Sequence, residues 1–82
     1  METVWVGSAN VRGMAVEYYR TEEPVGQGRW DYGVEITTSQ GECSRIGGIT
    51  VSRQEIGCLL DRLVRNSVTP VTLRDVIDDW LA

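Results

Sequence analysis

The sequence predicts an α+β domain: a three- to four-stranded antiparallel sheet (meander) followed by two C-terminal helices packed on one of its faces, in the order ββββαα. Three observations lead there. Val51 to Ala82 carries two consecutive helix signatures, each with its own start signal and its own apolar stripe. Trp30 to Ser39 alternates, setting Trp30, Tyr32, Val34, Ile36 and Thr38 against Asp31, Gly33, Glu35 and Thr37, and so makes a strand with one apolar face. One apolar sheet face and two apolar helix stripes have a simple solution, which is to lie against each other.

At the N-terminal end, Val4-Trp5-Val6 is a short β-prone run and Gly7-Ser8-Ala9-Asn10 supplies turn chemistry. Val11 to Arg20 then alternates, with Met14, Val16 and Tyr18 on one face and Ala15, Glu17 and Tyr19 on the other, so the two runs are expected to form a hairpin. Thr21 to Arg29 holds two acids, a proline and two glycines without any period, and reads as an exposed loop. Ser39-Gln40-Gly41 suits a tight turn in which Gly41 is left-handed, returning Glu42 to Ile46 antiparallel before Gly47-Gly48 ends or bulges that strand.

In the first helix Ser52 is the N-cap and Glu55 completes a capping box, while Val51 and Ile56 are spaced for a hydrophobic staple. Ile56, Leu59, Leu60, Leu63 and Val64 form its stripe, and Asp61 and Arg65 are an i, i+4 ion pair. Asn66-Ser67 closes the helix, Asn66 being suited to a left-handed end, and Pro70 forces Thr69 to be extended. The second helix repeats the device, with Thr72 as cap, Asp75 in a shortened box and Val71 placed to staple Val76. Leu73, Val76, Ile77 and Trp80 make its stripe, and Asp75, Asp78 and Asp79 point away.

Eighty-two residues make a single domain, residues 1–82, with a small core. The net charge of −4 comes from twelve acids and eight arginines, with no lysine and no histidine. That balance opposes nonspecific binding to nucleic acid or an anionic membrane, which relies on basic surface. The lack of histidine removes the usual general base near neutral pH and the commonest metal ligand. Neither a secretory signal nor a run of membrane-spanning length is present, so a cytoplasmic location is the default and Cys43 and Cys58 are expected to be free thiols.

Asp31-Tyr32-Gly33-Val34-Glu35-Ile36, together with Val68-Thr69-Pro70-Val71-Thr72-Leu73-Arg74-Asp75-Val76-Ile77-Asp78-Asp79-Trp80-Leu81, resembles a family of small uncharacterised proteins found mainly in clostridia-like bacteria. The resemblance spans roughly Tyr18 to Leu81. It implies a standalone intracellular bacterial domain without an assigned reaction, cofactor or partner, and it transfers no catalytic residue.

Candidate chemistry is sparse. Asp75, Asp78 and Asp79 with Glu55 offer oxygen ligands for a hard cation, but a solvated helix face explains them as well, and no acidic glycine-bearing loop of the calcium type exists. Near a helix C-terminus Asp78 and Asp79 oppose the macrodipole, which invites a basic partner or pairing with Arg12, Arg20 or Arg45. Cys58 falls opposite the stripe, with Arg62 one turn on but no base to activate it. Strand placement makes Cys43 a packing residue. Gly47, Gly48, Ser52 and Arg53 could hold an anion at the helix start. Tyr19, Arg62, Arg65, Asp75, Asp78 and Asp79 mark the surfaces available for contact.

The reading that follows is a noncatalytic cytoplasmic domain, without cofactor or metal, acting on a protein partner or by self-association through an edge strand or uncovered aromatic residues. A module for an anionic metabolite is the alternative, and an enzyme with Cys58 as nucleophile comes third.

Overall fold

The computed structural model of the protein describes residues 2–82. Strands β1 (Glu2–Val11), β2 (Met14–Gly26), β3 (Arg29–Thr38) and β4 (Cys43–Thr50) precede helices α1 (Arg53–Arg65) and α2 (Leu73–Leu81). The sheet is antiparallel in the order β1-β2-β3-β4, so every strand lies beside its neighbour in sequence. The α+β meander with two C-terminal helices is the architecture the alternation and the stripes predict.

Two connections lie elsewhere than expected. Gly7 to Asn10 do not turn: β1 runs through them, and the chain reverses at Arg12-Gly13, whose φ values of 53° and 81° are both positive. Such a turn normally announces itself as Asn-Gly or Asp-Gly. Here the asparagine stands earlier, and the Asn10 side chain accepts a bond from the Gly13 amide at 2.9 Å. Gly7 instead follows a bulge at Val6 and lies under α1, where an added Cβ would sit 3.2 Å from Val64 Cγ2.

Thr21 to Arg29 is likewise no loop. β2 continues to Gly26 and turns at Gln27-Gly28, with φ of 50° and 75°. Pro24 does not break the strand because the pairing with β1 ends at Glu2 and Glu22, leaving Pro24 where β2 is an edge and a missing N–H is tolerated. The Gly41 turn forms as expected, with φ of 89° and Thr38 Oγ1 accepting from the Gln40 and Glu42 amides.

β4 departs from regular pairing at its glycines. Ile46 lies opposite Val34 and Thr50 opposite Tyr32, so Gly47, Gly48 and Ile49 together face the single residue Gly33. Thus Gly47-Gly48 bulges the strand rather than ending it. The bulge folds down over β3: a Cβ on Gly33 would lie 2.3 Å from the Ile46 carbonyl oxygen, and 2.7 Å from both Gly47 Cα and Thr21 Oγ1. Thr21 is 3% exposed although it points away from the helices.

On the helix side, Val16, Tyr18, Val34 and Ile36 meet Ile56, Leu59, Leu60, Leu63, Val68, Leu73 and Ile77 in one core. Tyr18 is fully buried, and its hydroxyl donates to the Val68 carbonyl at 2.7 Å, tying the α1–α2 connection to the middle of the sheet. Thirteen residues of β2 reach about 43 Å at 3.3 Å each, which matches the 43 Å long axis of the molecule. Thirteen residues of α1 reach only about 20 Å. Trp30 and Val25, at the far end of the β2–β3 hairpin, are left 40% and 50% exposed.

The helix ends differ from expectation in several details. Ser52 Oγ accepts from the Glu55 amide at 3.2 Å, but the reciprocal half of the capping box is relayed. Thr50 Oγ1 accepts from the Ser52 amide and donates to the Glu55 carboxylate, each at 3.1 Å. Neither staple forms, since Val51 and Val71 are among the most exposed apolar residues. Thr72 makes no capping bond; its backbone is already helical, and its hydroxyl turns back toward the Thr69 carbonyl.

The left-handed residue closing α1 is Ser67, with φ of 52°, not Asn66. Its amide donates to the Val64 carbonyl and that of Val68 to the Leu63 carbonyl, a Schellman closure that drops Val68 into the core. A serine pays a steric penalty there that glycine avoids, partly offset by glycine's freer unfolded chain. Ser67→Gly should therefore raise stability by about 0.5–1 kcal/mol, read as an upward shift in the thermal melting midpoint. No shift, or a fall, would mean the closure tolerates serine without strain.

Candidate functional site

The sheet face opposite the helices carries the most developed surface. Register places Trp5 opposite Tyr19, and Ser8 opposite Glu17, on the side away from the buried Val16 and Tyr18. The Trp5 indole is 57% exposed, and its Nε1–H donates to Glu17 Oε1 at 2.6 Å, a charge-assisted bond that fixes the ring on the sheet. One strand further, the Arg45 guanidinium pairs with the Glu35 carboxylate, and Glu35 lies opposite Tyr19. The patch therefore has an aromatic centre, a carboxylate on each side and the Gly47 bulge at one border.

Tyr19, which the alternation assigned to this second face, is there, half-buried beside Trp5. Trp5 is the residue that sequence reasoning missed. With the turn placed at Gly7 to Asn10 it could not be set opposite Tyr19, and the signal that would have placed it was Asn10-Val11-Arg12-Gly13, read as a turn held by a side chain.

The other sequence-derived residues divide among separate surfaces. Gly47 and Gly48 are exposed in the bulge, Ser52 is occupied as N-cap, and Arg53 is exposed in the first turn of α1. The Glu55 carboxylate bonds Thr50 at that same helix start, setting a negative charge where an anion would have to approach. Cys58, Arg62 and Arg65 line a shallow hollow of about 400 Å³ on the outer side of α1, with Asp61 and Asn66. Arg65 is ion-paired with Asp61, as its spacing predicts, and that carboxylate raises the arginine's already high pKa. Cys58 is exposed and free, and the carboxylate that shares its hollow, Asp61, is engaged by Arg65. Cys43, expected to pack, is exposed on edge strand β4.

Asp75, Asp78 and Asp79 lie exposed along α2, apart from the hollow. Arg20 pairs with Glu22 and Arg45 with Glu35 within the sheet, rather than with Asp78 or Asp79 of α2. Among the described residues no three Cys, Asp or Glu side chains converge as metal ligands would, and no helix is long and apolar enough to cross a membrane.

Residues 2–82 match the model of a family of unknown function (DUF6514). The chain belongs to this family. Membership in DUF6514 covers β1 and all three hairpins as well as the Tyr18 to Leu81 stretch that carried the resemblance, so the Trp5–Tyr19 face lies wholly inside the family's domain. No curated protein and no solved structure matches the chain.

Proposed function

We propose that this protein is a noncatalytic domain of the bacterial cytoplasm that acts through protein–protein contact, with the sheet face around Trp5 and Tyr19 as its working surface. The carrying observation is the exposed Trp5 indole, held in place by Glu17 on a face the helices leave open. A rigid, amphipathic aromatic ring costs little conformational entropy to bury, which is why such residues concentrate binding energy in interfaces. The absence of histidine, and the engagement by Arg65 of the one carboxylate in the Cys58 hollow, favour contact over catalysis.

The test is capture of partners from the native host with the intact chain, Trp5→Ala and Tyr19→Ala as parallel baits. Trp5→Ala should keep its fold, since the ring is largely exposed, yet weaken capture at least about tenfold. Equal capture by all three baits, or by none, overturns the reading. An anionic metabolite at the α1 start has less support because Glu55 faces that position. Stabilisation by phosphate or a carboxylate in thermal-shift measurements, lost in Arg53→Ala, would reverse that preference. Reaction of Cys58 with a thiol probe far faster than free cysteine would revive catalysis.

A further inference from the structure

We infer that a second copy of this chain adds to the free edge of β1, joining two four-stranded sheets into one of eight. The inference rests on the protein-contact reading above and names its partner. β1 is an outer strand of the sheet, and from Thr3 to Val11 it holds no charge and no proline. Outer strands are usually guarded against pairing by charges, prolines or bulges. The opposite edge, β4, has Arg45 and a three-residue bulge, whereas β1 has only the single-residue irregularity at Val6.

Its charges also favour its own copy. Glu2 stands at one end of β1, and Arg12, in the turn, at the other. Antiparallel self-pairing brings each Glu2 next to Arg12 of the second copy; parallel pairing would set like charges together. Face alternation selects the register. Before the bulge, Thr3 and Trp5 point to the open face, and after it Ser8 and Asn10 do, because Gly7 and Ala9 lie opposite the buried Tyr18 and Val16. Residues that face one another across strands share a side of the sheet. Trp5 then falls opposite Ser8 of the second copy, Thr3 opposite Asn10 and Val4 opposite Ala9, with the twofold axis between Val6 and Gly7. Val4 and Val6, each 36% exposed on this edge, become covered, and the two Trp5 patches merge into one continuous face.

Light scattering on the full chain, from micromolar to millimolar concentration, should show the mass rise from 9.2 kDa toward twice that value. Glu2→Arg and Arg12→Glu should each weaken association about three- to tenfold by setting like charges together, and the double variant should restore it. Glu2 already faces Glu22 within one chain, so its reversal does not threaten the monomer. A constant 9.2 kDa mass, or a dimer indifferent to both reversals, overturns self-pairing through β1. A monomer whose partner capture still depends on Trp5 sinks this inference alone and leaves the wider reading standing.

Discussion

Gly33→Ala is expected to lower stability by about 3 kcal/mol or more, and so to reduce the melting midpoint of this 82-residue chain by roughly 12 °C or more. The added methyl would stand 2.3 Å from the Ile46 carbonyl oxygen and 2.7 Å from Gly47 Cα. Both are backbone atoms of the bulge, so no side chain can swing aside, and relief requires β4 to lift from β3. Removing the third neighbour, with Thr21→Ala in the same chain, should recover little, because the carbonyl is the closest obstacle. A Gly33→Ala protein that melts within a few degrees of the parent would show that the bulge is free to move. Gly47, whose Cβ position is open space, is the control: Gly47→Ala should cost far less.

Tyr18→Phe should cost about 1–3 kcal/mol, the range for leaving a buried hydrogen-bonding group unpaired. Phenylalanine fills the same buried volume, so the loss isolates the 2.7 Å bond to the Val68 carbonyl. Amide exchange at Ser67 and Val68 should quicken more than at the sheet centre. The pH dependence has a definite sign. Burial raises the Tyr18 pKa above its ordinary value of 10.0, so the folded chain keeps a proton that the unfolded chain gives up. Its contribution is fully present below pH 10 and is lost as pH rises through the folded value, with a limiting slope of about 1.4 kcal/mol per pH unit. Denaturant titrations of parent and Tyr18→Phe should converge above pH 10. Parallel curves there would mean that Tyr18 ionises as readily folded as unfolded.

The fold was legible where apolar periodicity was strong. Trp30 to Thr38 alternates without interruption and both helix stripes are regular, so β3, α1 and α2 follow from burying those faces. The hairpins at Arg12-Gly13 and Gln27-Gly28 were not, because arginine and glutamine adopt positive φ only when flanking strands compel it, and no local preference announces that. Pro24 misled for a related reason: its tolerance depends on β1 stopping at Glu2, a long-range fact. The candidate surface was half legible. Tyr19 followed from alternation alone, but Trp5 required the β1–β2 register, which a misplaced turn shifts.

Because every strand pairs with the one just made, the four-stranded meander has little loop entropy to overcome and should assemble quickly from local contacts. The Tyr18–Val68 bond, by contrast, joins residues fifty apart and closes only when the α1–α2 connection arrives. Val16, Tyr18, Val34 and Ile36 are therefore laid out in a formed or forming sheet before the residues from Ile56 to Ile77 settle over them. The folding chain is most prone to aggregate in that interval, while one apolar face of the sheet stands uncovered.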